Sequence, residues 1–212
     1  PQVTTPPSAP TIAPQVTTPP SAPTIAPQVT TPPAAPTIVT PEVTAPKAAP
    51  EFEVRRSRRS DLDALAVAIA KRENLARPLS HAETLKRFGG GGYRIAVSEG
   101  RIVAYAAWEA ENLVATIREL WAESSYIALL VLPRLFDLIE DEAHTLLCEV
   151  SILFLEVSAP LYLSEQARTH GYQLVELSQL HPVWQPIVRE RLRPGERLWA
   201  KRLRAELITK PM

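Results

Sequence analysis

Residues 93–122 read YRIAVSEGRIVAYAAWEAENLVATIRELWA. Tyr93–Ser98 and Arg101–Glu111 are dense in β-branched, aromatic and small apolar residues, as strands are. Glu99-Gly100 between them is a tight hairpin signal, because a two-residue turn of the favoured hand needs positive φ. A second turn at Asn112 leads into a third strand, Val114–Ala122. Three consecutive strands are therefore expected here, the first two as a hairpin.

Upstream, Phe52–Ser57 reads as another strand. Ser60 follows as a helix N-cap, with Asp63 completing an approximate capping box and Leu62, Leu65, Ala66 and Ile69 at helical spacing. Ser80-His81-Ala82-Glu83 is a full capping-box pattern that opens a second, short helix ending near Phe88, broken by Gly89–Gly92. Downstream, a long helix is expected over Pro133–Leu147, with Leu132, Leu135, Phe136, Ile139, Ala143 and Leu146 on one face. Pro133 suits a first turn and would kink a helix that began at Ser125, so the sequence leaves the start open. Val150–Val157 is almost wholly apolar, as in a strand buried on both faces. A helix over Leu161–His170 ends at Gly171, placed as a C-terminal glycine cap. Tyr172–Leu177 and Leu198–Leu203 read as strands, with a helix over Pro182–Leu192 between them. The order β-α-α-β-β-β-α-β-α-β-α-β implies an α/β layered fold with a mixed central sheet flanked by helices.

Residues 1–39 are three copies of a 13-residue unit, PQVTTPPSAPTIA twice and then PQVTTPPAAPTIV. A degenerate fourth piece runs from Pro41 to Pro50. Fifteen of the 22 prolines lie in residues 1–50, whereas every glycine and tryptophan lies beyond them. Proline removes amide donors and fixes φ, so residues 1–50 are expected to be a disordered, semi-stiff linker, and 51–212 the folding unit. A spacer to an upstream domain is a simpler reading than a ligand for proline-binding modules.

The 23 basic and 23 acidic side chains cancel, which argues against nucleic-acid or anionic-membrane partners. No apolar run approaches membrane-spanning length. Cys148 is the only cysteine, so no internal disulfide can form, and a reducing, cytoplasmic setting is expected. The histidines (81, 144, 170 and 181) have no mutual ligand spacing, so no metal site is expected. Cys148 reads as an inert core thiol. Trp108, Trp121, Trp184 and Trp199 read as packing residues, and the Arg55, Arg56, Arg58, Arg59 cluster as a solvated strand end.

Val54-Arg55-Arg56-Ser57 followed by Ser60-Asp61-Leu62, the Arg101-Ile102-Val103-Ala104 strand after its Glu-Gly turn, and Gly171-Tyr172 after a helix occur in an order that resembles the GNAT superfamily of N-acetyltransferases. The resemblance covers most of 52–204 and implies a GNAT-like domain. Its implied activity is transfer of an acyl group from acetyl-CoA or another acyl-CoA to a small-molecule or protein amine. The family's Arg/Gln-x-x-Gly-x-Gly/Ala loop, whose backbone amides hold the CoA pyrophosphate, falls here on Ile127-Ala128-Leu129-Leu130-Val131-Leu132, without arginine or glycine. The family's frequent general-acid tyrosine falls on Ala167. The resemblance therefore implies Glu119 or Glu111 as base, Tyr162 as a substitute acid, the backbone of Leu120, Trp121 and Ala122 for the pantetheine arm, and residues 127–132 as a degenerate phosphate turn. The alternative is a non-catalytic, GNAT-derived binding, regulatory or structural module, in which 127–132 fills the cofactor cleft, extends the core or pairs two copies as a homodimer.

Overall fold

The computed structural model describes residues 51–89 and 92–205. The linker expectation for 1–50, and Gly90 and Gly91, lie outside them. The elements are β1 (Glu53–Arg56), α1 (Leu62–Arg72), α2 (His81–Gly89), β2 (Gly92–Ser98), β3 (Arg101–Glu111), β4 (Val114–Ala122), α3 (Ser125–Thr145), β5 (Val150–Glu156), α4 (Leu161–Thr169), β6 (Gln173–Leu174), α5 (Gln185–Arg191) and β7 (Glu196–Arg202). The strands form one mixed sheet in the order β1-β2-β3-β4-β5-β7-β6, parallel only between β4 and β5. Helices cover it, as the sequence predicts for an α/β layered fold.

The hairpin turn is as expected: Glu99 and Gly100 both take positive φ, 50° and 74°. At the β3–β4 turn the left-handed pair is Asn112 and Leu113, at 48° and 65°. Leucine tolerates that region poorly. Its carbonyl accepts the Glu149 amide at 2.7 Å, which ties the turn to the entry of β5.

Ser80 and Glu83 cap α2 reciprocally, the Ser80 amide donating to the Glu83 carboxylate at 2.7 Å. At α1 the cap differs from the expectation. Residues 59–61 form a turn of 3₁₀ helix and α1 starts at Leu62. The working carboxylate is Asp61, not Asp63: it accepts from the Arg58 amide at 2.6 Å and takes a two-pronged bond from Arg55. Asp63 is exposed, and Ser60 is not the N-cap.

The larger correction is α3, which starts at Ser125 rather than Pro133. Ser124 is the N-cap, extended, with its hydroxyl accepting the Ile127 amide at 3.2 Å. Ala128, Val131, Leu132, Leu135, Phe136, Ile139 and Ala143 are all fully buried. The apolar helical period thus runs straight through Pro133. An interior proline costs about 3 kcal/mol, while each large apolar side chain buried returns about 1.5–3 kcal/mol. Burial of Val131 and Leu132 therefore favours continuing the helix. β6 is also shorter than expected: Gly171 (φ 94°) and Tyr172 form the step, and only two residues pair with β7.

Three clusters make the core. The largest packs α3 and α4 on one face of the sheet, with Ala104, Ala106 and Ala115 letting the helices approach closely. α1 packs on the opposite face over Tyr93, Ile95 and Tyr105. The third joins β5 and β7 to Leu180, Trp184 and Val188.

Candidate functional site

β4 and β5 are paired over only four residues each, from Val114 opposite Val150 to Ile117 opposite Leu153. Beyond Ile117 they diverge. At that point the β3–β4 register slips: Trp108 faces Ile117 but Ala107 faces Glu119, so Arg118 is an extra residue, a bulge. A bulge bends its strand and re-aims the side chain. β5 stays with β7 to the end, where Glu156 lies opposite Glu196. The gap between the diverging strands is a cleft of about 920 Å³, lined among others by Arg72, Arg118, Glu119, Phe154, Glu156 and Tyr162.

Most of the sequence-predicted residues meet there. Glu119 faces the cleft, but its Oε2 is engaged by Arg72 at 2.9 Å and by the Tyr105 hydroxyl at 3.3 Å. Glu111 does not line this cleft but borders an adjoining cavity of about 530 Å³; it is exposed at the far end of β3 and pairs with Arg191. Leu120 and Trp121 line the cleft. The Ala122 carbonyl accepts the Tyr162 hydroxyl at 3.0 Å. That bond latches α4 to the end of β4, and burial pushes the Tyr162 phenol above its ordinary pKa.

Residues 127–132 are not a loop. They are the first turns of α3, and none of them lines the cleft. Ala128, Val131 and Leu132 belong to the main core, and Ile127 packs against it. Leu129 is 60% exposed and Leu130 37%. The Ile127 amide is taken by the Ser124 hydroxyl and the Ala128 amide by the Ser124 carbonyl.

A seven-stranded sheet opened by a bulge between two parallel central strands, with helices on both faces, matches many solved acetyltransferases. An acetyltransferase of the GNAT family from Staphylococcus aureus superposes with a TM-score of 0.56 at 14% identity, over 73% of this chain and 100% of that one. This is a GNAT fold. A GNAT-superfamily phosphinothricin acetyltransferase from Sinorhizobium meliloti, solved with acetyl-CoA, gives 0.55 at 16% identity over 76% and 93%. A ribosomal-protein-alanine N-acetyltransferase from Brucella melitensis gives 0.51 at 16% identity over 71% and 99%. No family sequence model matches this chain, and no curated protein matches it by sequence.

Within the GNAT fold, a CoA diphosphate needs an array of free amides at the start of α3. Here the helix itself, and Ser124, consume those at Ile127 and Ala128. Ala167 is fully buried.

The sequence reading missed Arg72, Arg118, Glu156 and Glu196 as cleft residues. One signal was available. Arg118-Glu119 are consecutive charges inside a strand, which breaks the period of two and marks a bulge. The other features are structural. Arg55 is committed to Asp61. Cys148 is buried, and burial raises its thiol pKa. Trp108, Trp184 and Trp199 are buried. Among the described residues no cluster of histidine, cysteine and carboxylates could hold a metal, and no helix is long and apolar enough to cross a membrane.

Proposed function

We propose that residues 51–212 are a GNAT-derived ligand-binding module that keeps the splayed cleft of an acyl-CoA N-acyltransferase and has lost the seat for CoA. One observation supports this reading: the stretch that the family resemblance aligns with the phosphate loop, 127–132, lies within α3, with Ala128, Val131 and Leu132 buried in the core. Restoring a loop there means exposing those side chains. Glu119 held by Arg72, and Tyr162 bound to the Ala122 carbonyl, further support a site that binds without transferring. Residues 1–50 would then tether the module to a partner.

The transferase reading keeps one point in its favour, the open cleft with Glu119 and Tyr162 both on its wall. In that reading the Leu120–Ala122 backbone would hold a pantetheine arm, and a small-molecule or protein amine would be the acceptor. Titration calorimetry and thermal unfolding with acetyl-CoA and longer acyl-CoAs decide between the two. Binding weaker than millimolar and no stabilisation are expected. Micromolar binding with turnover of an amine would restore the transferase.

A further inference from the structure

The cleft is lined by charges of both signs. Arg72 is paired with Glu119, Arg87 with Glu73, and Lys71 with Glu123 outside the lining. What remains falls into two unpaired sets. Among the described residues, Arg118 and Arg193 form no ion pair. The Arg118 guanidinium carbon stands over the Phe154 ring, 5.1 Å from its centroid, and one N–H donates to the Arg191 carbonyl at 2.7 Å. Both arginines line the main cleft and a second cavity of about 530 Å³ that continues from it.

The second set is Glu156 and Glu196. They are directly opposite each other on β5 and β7, and so share a face of the sheet. Neither is in an ion pair among the described residues. Glu156 accepts only from the Ser158 hydroxyl, at 3.2 Å, and Glu196 only from the Arg193 amide, at 2.9 Å. Like charges directly opposite on paired strands repel. Glu156 is two residues from Phe154, hence on the same face and about 7 Å along the strand from the residue that carries the Arg118 guanidinium.

We propose that the cleft recognises a small zwitterion, its anionic group on Arg118 with Arg193 and its ammonium group between Glu156 and Glu196. This rests on reading the cleft as the binding site. The bulge explains why Arg118 is available. In regular alternation it would not be the extra residue, and its side chain would have a strand partner opposite. Burial, and next the neighbouring Arg193 charge, lower the pKa of Arg118, while Glu196 and Glu109 oppose the shift. A bound anion relieves the repulsion between the two arginines as a bound ammonium relieves that between the two glutamates. A planar guanidinium backed by an aromatic ring is also already oriented for a carboxylate.

A matched trio of probes tests the two-ended recognition: 5-aminopentanoate, pentanoate and 1-aminopentane, titrated into the full chain by calorimetry. The zwitterion should bind at least about tenfold more tightly than either single-charge probe. Arg118→Gln should weaken 5-aminopentanoate and pentanoate by about tenfold or more without altering the circular dichroism spectrum. Arg193→Gln, in a loop, provides the same readout if the first variant does not fold. The Glu156→Gln, Glu196→Gln double variant should remove the preference for 5-aminopentanoate over pentanoate. Equal binding of zwitterion and pentanoate would reduce the cleft to a plain anion site and overturn the proposal. So would affinity unchanged by both arginine variants, or no saturable binding up to millimolar probe. CoA binding would overturn the non-catalytic reading alone, because the trio's selectivity does not depend on it.

Discussion

The two ends of the β4–β5 pair are built from the same strands and behave as different materials. At the paired end Val114, Ile117, Val150, Ile152 and Leu153 are at most 1% exposed. At the diverging end the same strands carry Arg118, Glu119 and Glu156 and border open volume. One bulged residue separates the two. The lesson is that a site can be cut into a core by changing register once, with no change of fold.

If the paired end is core and the diverging end is a working surface, substitutions should cost stability at one and binding at the other. Ile152→Ala should destabilise by about 4 kcal/mol, read from urea unfolding, whereas Arg118→Ala should cost about 1 kcal/mol or less. Comparable costs would mean that the cleft is packed interior. Next in size is the start of α3. Leu132→Ala should cost about 3 kcal/mol and leave acetyl-CoA binding no stronger; a gain in CoA affinity would show that the apolar turn alone blocks the cofactor.

A third effect lies away from both ends and calibrates them. The hydrogen bond from Arg55 holds the Asp61 carboxyl below its ordinary pKa. A depressed folded-state value means that the carboxylate's stabilisation is complete above the unfolded-chain value near pH 4 and fades as pH falls through the lower folded value. Asp61→Asn should therefore lose about 1–2 kcal/mol at neutral pH, with wild type and variant converging in acid; a gap that persists in acid would assign the loss to packing. The smallest effect has the opposite sign. Leu147 sits at φ 63° just past α3, half exposed, on the approach to the paired end of β5. Leu147→Gly should raise stability by about 1 kcal/mol, seen as an increase in Tm.

The limits of β3 and β4 were legible because Glu99-Gly100 and Asn112 are turn residues with a steric reason to be there. The α/β layered fold with a mixed sheet followed from the element order, but the placing of β7 between β5 and β6 did not. What stayed hidden depends on register. A run such as Ile127–Leu132 is compatible with a turn, a loop plug or a helix, and only the partners on the sheet decide, here by burying Ala128, Val131 and Leu132. Likewise Glu156 and Glu196 are 40 positions apart in the chain and become one anionic pair only through the β5–β7 register. Where Glu111 lies is likewise set by its strand, which carries it to the far end of β3, against Arg191.

Among the described residues, the four residue pairs that join β4 to β5 are the only ladder between two antiparallel blocks, β1–β4 and β5–β7–β6. Within the first block β2, β3 and β4 close through short hairpins, whose loops form fast. The second can dock on it only after the chain has looped from Val114 to Val150, with α3 in place across the connection. The sheet therefore has a seam. Assembly should proceed block by block, and amide hydrogens along the seam should exchange through openings of the second block rather than through global unfolding. The cleft lies at the open end of that seam, so the same motion that exposes those amides would widen the mouth of the site.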